Sequence, residues 1–132
     1  MKYFIRIVLL FILFLLVLPL TTSAQKKNEP QGKLKTYYLA LLRKGQHRDQ
    51  DSVTAAKIQK AHLANITRLY NEGKLDLAGP FLDDGDLQGI FVFNVGSMEE
   101  AKKLADNDPA VKAGRLILEL HPWMSQPGAK LR

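Results

Sequence analysis

Residues 75–95 read LDLAGPFLDDGDLQGIFVFNV. Two apolar runs flank Asp83-Asp84-Gly85-Asp86, and Asp-Gly between apolar runs is a strong hairpin signal. The first strand of the pair spans Leu75–Leu82, interrupted by Gly79-Pro80. The second spans Leu87–Val95. Ile90, Phe91, Val92 and Phe93 make both faces of that second strand apolar, which predicts a central place in a sheet.

Upstream of the hairpin, Ser52–Asn71 reads as a helix. Asp51 or Ser52 can cap its start, and Gly73 stands just past its end. At 100° per residue, Ala55, Ile58, Ile66, Leu69 and Tyr70 fall on one stripe, with His62 near its middle. Before the helix, Tyr37–Leu42 is an apolar run that predicts a strand covered on both faces.

Downstream, Ser97-Met98-Glu99-Glu100 has the form of a capping box opening a helix that runs to about Asp106. Asp108-Pro109 starts a further turn, closed by Gly114. Leu116–His121 is the last strand, ended by Pro122, with residues 124–132 as a loose tail. The order β-α-β-β-α-β predicts an α+β, ferredoxin-like fold: a four-stranded antiparallel sheet with two helices on one face. Tyr37, Tyr38, Phe91 and Phe93 exceed the apolar area that two helices can cover. The bare face is therefore expected to pair with a second copy, giving a homodimer.

The 132 residues hold no cysteine, which excludes disulfides, a thiolate nucleophile and Cys-ligated metal. Ile7–Leu18 is an unbroken apolar run of 12 residues preceded by Lys2 and Arg6, with Thr22-Ser23-Ala24 after it. That pattern is a secretory signal, cut after Ala24. The run is short of the ~20 apolar residues of a spanning helix, so the chain meets a membrane only through this segment, if it stays uncleaved. The expected product is periplasmic or secreted. Residues 25–35 read as a polar linker and 36–123 as the domain. The formal charge of +6 comes mostly from the ends, and residues 36–123 are close to neutral. No folded basic face argues for nucleic acid.

The segments Ala61-His62-Leu63-Ala64, Leu77-Ala78-Gly79-Pro80-Phe81, Asp83-Asp84-Gly85, Gly89-Ile90-Phe91-Val92, Ser97–Ala101, Asp108–Gly114 and His121-Pro122-Trp123 follow one another in order. In this they resemble the YciI-like (YCII-related) family of the dimeric α+β barrel group. The resemblance covers residues 37–123. It implies that fold and a pocket rather than a particular reaction, and it matches His62 to the family's helix histidine.

His62 with Asp108 is the expected catalytic pair. A carboxylate on one imidazole nitrogen fixes the tautomer and leaves the other nitrogen for a substrate proton. Gly79, Pro80 and Phe81 are expected to bind substrate, Gly79 by letting a ligand approach the backbone. The helix-start amides as far as Val111 would hold an anionic group. Asp83, Asp84 and Asp86 read as turn formers. His47 and His121 share no metal-ligand spacing with His62, so no metal is expected. Asn65-Ile66-Thr67 matches a glycosylation sequon but falls within the helix. Dinucleotide, P-loop and nucleophile-elbow motifs are absent, so no cofactor is expected. Two functions stay open: cofactor-free acid–base catalysis on a small organic molecule, of lyase or isomerase type, or a non-catalytic module that binds a small molecule or a partner.

Overall fold

The computed structural model describes residues 32–129. The signal segment, most of the linker and the last three residues lie outside it. The elements are β1 (Lys35–Lys44), α1 (Ser52–Asn71), β2 (Leu75–Pro80), β3 (Leu87–Phe93), α2 (Met98–Asp106), the one-turn α3 (Pro109–Lys112) and β4 (Leu116–Ser125). The four strands form one antiparallel sheet in the order β2-β3-β1-β4. This is the expected ferredoxin-like arrangement, with β3 and β1 central.

Local chemistry sets the helix ends. Asp51 caps α1: its Oδ1 accepts the amides of Val53 and Thr54 at 2.9 and 3.0 Å. Gly73, just past the α1 C-terminus, takes φ 68°, which a side chain would make strained. Ser97 caps α2 by accepting the Glu100 amide at 3.1 Å. The Glu100 carboxylate reaches back to the Gly96 amide at 3.3 Å, one residue before the donor a full capping box would use.

Alternation along the strands sorts the side chains by face. Ala40 and Leu42 of β1 with Phe91 and Phe93 of β3 form a buried cluster with Leu69 of α1 and Ala101 and Ala105 of α2. Tyr38, Leu116, Leu118 and Leu120 pack against its margin. Both long helices thus lie on one face. The opposite face carries Tyr37, Leu39 and Leu41, which the register sets beside Val92, Ile90, Trp123, His121 and Glu119. A charged chain crosses this otherwise apolar face. Arg43 donates to Glu119 at 2.8 Å and to Asp86 at 3.1 Å, and His121 lies 3.0 Å from Glu119.

Several details differ from expectation. Of the four aromatic residues assigned to the sheet surplus, Tyr38, Phe91 and Phe93 belong to the helix-covered core and only Tyr37 lies on the open face. β4 runs through Pro122 to Ser125, so Met124 and Ser125 belong to the sheet and not to a tail. As an edge strand, β4 tolerates a residue without an amide proton. β2 ends at Pro80, and residues 81–86 form a longer link than an Asp-Gly turn. Gly85 does not have the positive φ that such a turn requires. Tyr70 is 63% exposed, because only Leu69 of the last α1 turn reaches the core.

Candidate active site

Two buried polar residues stand out in an apolar interior. His62 is 7% exposed and Asp108 is 1% exposed. They come from different elements, the middle of α1 and the cap of α3, yet His62 Nδ1 lies 2.8 Å from Asp108 Oδ1. The His62 ring stacks on Phe91, with centroids 5.8 Å apart and planes at 21°. Phe93 meets Phe91 edge-on. Packing thus fixes the ring plane and the hydrogen bond fixes its rotation.

Both oxygens of Asp108 are engaged. Its Oδ1 also accepts the Ala110 amide at 2.8 Å, as the cap of α3, and its Oδ2 accepts Nδ2 of Asn65 at 2.9 Å. Asn65 in turn accepts from Arg68, which pairs with Glu72. Burial pushes the Asp108 carboxyl up. The hydrogen bonds from His62 and Asn65, the His62 charge and the Ala110 amide outweigh it and hold the group below its ordinary value. Asp108 is therefore an ionised acceptor at neutral pH, so the shared proton belongs to His62 Nδ1. Nε2 has no hydrogen-bond partner among the described residues. No buried side-chain polar atom among them is left unpaired. Nε2 therefore keeps some solvent exposure, and His62 lines a cavity.

That cavity has a volume of about 440 Å³, within the range of small-molecule sites. Leu42, Ile66, Phe91 and Leu116 supply apolar wall, and Arg48, Gln59, Gln88 and Arg115 supply polar groups. Gly79, Pro80 and Phe81, expected from the sequence to bind substrate, line the cavity, and so does Gly89. A side chain at Gly89 would run into the Gly79 carbonyl at 2.4 Å, so glycine permits the close β2–β3 approach beside the cavity. Val111 does not line it. α3 has only four residues, and the Ala110 amide is occupied by Asp108, so the helix start does not offer the anion site expected there.

Asn65, read from sequence only as part of a sequon, holds the second oxygen of Asp108. Its position three residues after His62 on one helix face was the available signal. Asp86 pairs with Arg43 at 3.1 Å. Among the described residues no three His, Asp or Glu side chains gather as a metal site, and no helix is long and apolar enough to cross a membrane.

The fold is that of the dimeric α+β barrel proteins, here with a buried imidazole–carboxylate pair facing a cavity. A model of the YCII-related domain matches residues 37–124, and the chain belongs to that family. Among solved structures it is similar to muconolactone isomerase, with 16% identity, a TM-score of 0.56, and coverage of 73% of this chain and 96% of that one. It is also similar to 5-chloro-2-hydroxyhydroquinone dehydrochlorinase of Burkholderia phenoliruptrix AC1100 in complex with 2,5-dihydroxybenzoquinone. That match has 26% identity, a TM-score of 0.49, and coverage of 65% and 92%. No curated protein matches the chain.

Proposed function

We propose that this protein is a cofactor-free acid–base catalyst acting on a small organic molecule in the cavity at His62. The observation that carries the reading is the 2.8 Å bond from Nδ1 to a buried carboxylate, with Nε2 unpaired among the described residues on a side chain that lines the cavity. In the reaction, the Nε2 lone pair takes a proton from a C–H group adjacent to a carbonyl or another electron sink. The C–H electron pair becomes a C=C bond. The ionised Asp108 stabilises the imidazolium, and the proton then returns to another atom of the substrate, or a leaving group departs with its electron pair. Isomerisation and elimination are the two outcomes.

Two further readings belong to this proposal. The tripartite segment 1–24 directs export to the periplasm or beyond, with the mature chain starting at Gln25. The open sheet face, where Ile117 and Trp123 are 49% and 44% exposed, pairs with a second copy of the chain.

The test follows proton abstraction directly. Purified mature protein is incubated in D₂O with a panel of small keto and hydroxy acids, and solvent deuterium entering C–H positions is followed by NMR. Exchange into at least one compound, abolished by His62→Gln with the fold retained, supports catalysis. Ligand binding without exchange in the wild type would leave the non-catalytic binding module.

A further inference from the structure

The described residues include four arginines. Arg43 pairs with Asp86 and Glu119, and Arg68 pairs with Glu72. Arg48 and Arg115 make no ion pair among the described residues, and these two are the ones that line the His62 cavity. The cavity wall contains no carboxylate. Asp108 stands behind it with both oxygens occupied by His62, Ala110 and Asn65. The wall is therefore cationic on an otherwise largely apolar surface.

Arg115 is also held in place. Its Nη1 donates to Gln50 Oε1 at 2.6 Å. The Gln50 amide cannot turn away, because its Nε2 donates to the carbonyls of His47 and Ala113 at 3.0 and 3.3 Å. The Arg115 backbone is tied on both sides: its amide donates to the Ala110 carbonyl, and its own carbonyl accepts from the Gly45 amide and from Arg48 Nη1. A guanidinium has five donors, and Gln50 takes one. A half-buried cation without a counter-charge is unfavourable unless something anionic fills that place.

We infer that the cavity takes a small organic carboxylate, with Arg115, oriented by Gln50, gripping the carboxylate and Arg48 adding charge beside it. The planar fork of a guanidinium matches the two oxygens of a carboxylate, and the apolar walls take the remainder of the molecule. This rests on the reading of the cavity as the substrate site and names the class of substrate. The carboxylate anchors the molecule at Arg115 while its C–H group is presented to His62 Nε2.

The test uses benzoate and its uncharged analogue benzamide, titrated into the mature protein while the amide signals of Gly79, Gly89 and Ala110 are followed by NMR. Benzoate should shift these signals and bind at least about ten-fold tighter than benzamide, as expected for charged hydrogen bonds. Arg115→Gln should remove that preference. Gln50→Glu, which sets a carboxylate against Arg115 without touching the cavity wall, should weaken benzoate about ten-fold and leave benzamide unchanged. No benzoate-specific shift, equal binding of the two compounds, or an unchanged preference in both folded variants would overturn the inference. The readout is equilibrium binding. Absence of deuterium exchange would remove the acid–base reading alone, and an intact benzoate preference would stand without it.

Discussion

Nδ1 of His62 and Oδ1 of Asp108 meet at 2.8 Å although 46 positions separate them in the chain. The contact links the middle of α1 to the cap of α3, and it serves structure and site together. Asp108 holds a helix start, a histidine ring and Asn65 with two oxygens, so changes here act on both folding and chemistry.

His62→Leu removes one donor from a buried carboxylate. The expected loss is about 1–3 kcal/mol of stability, measured by urea unfolding. A variant more stable than the wild type would mark the histidine as a tolerated core residue without a partner role.

Asp108→Asn keeps an acceptor for His62 and Ala110 but turns an amide NH₂ toward Asn65 Nδ2, placing donor against donor. The expected cost is again about 1–3 kcal/mol, and Asp108→Ala should exceed it by losing the cap as well. Asn65→Asp sets two carboxylates together and should destabilise more than Asn65→Ala. Thermal unfolding of the four variants checks the order.

Because folding lowers the Asp108 carboxyl below its ordinary value, the stability it contributes is fully present above the unfolded value near ~4. That stability is lost as pH falls through the folded value. Asp51, Glu99 and Glu119 are lowered too, but on the surface. The urea midpoint should therefore drop steeply below about pH 4 in the wild type and less steeply in Asp108→Asn. Parallel acid limbs would show that Asp108 is not held ionised by the fold.

The two sheet faces should answer differently to substitution. Phe93 is fully buried under the helices, so Phe93→Ser should cost at least about 3–5 kcal/mol and unfold the domain without first dissociating it. Leu39 lies on the open face beside Val92 and His121. Leu39→Glu should leave the fold intact and give a monomer by sedimentation. A wild-type protein that is monomeric at micromolar concentration would contradict pairing through this face.

Element order is legible in the sequence because it rests on local signals, whereas the choice of His62 with Asp108 draws also on the family resemblance. Ser97, Asp108-Pro109 and Gly73 punctuate the helices, and His62 interrupts an apolar stripe. What is not legible depends on neighbours far along the chain. Pro122 reads as a strand end until β4 is seen to be an edge. The facing of Phe91 against Val92 needs the register, since a one-residue shift exchanges the faces. The Gln50–Arg115 contact joins two loops that no periodicity connects.

The tautomer of His62 tests the central claim most directly. Long-range ¹H–¹⁵N NMR of the neutral ring separates a protonated Nδ1 from a protonated Nε2. We predict the Nδ1–H form, with its proton shared with Asp108, and an Nε2 signal that moves when benzoate enters the cavity. An Nε2–H ring, or an Nε2 that ignores a bound ligand, would contradict the assignment of His62 as the base.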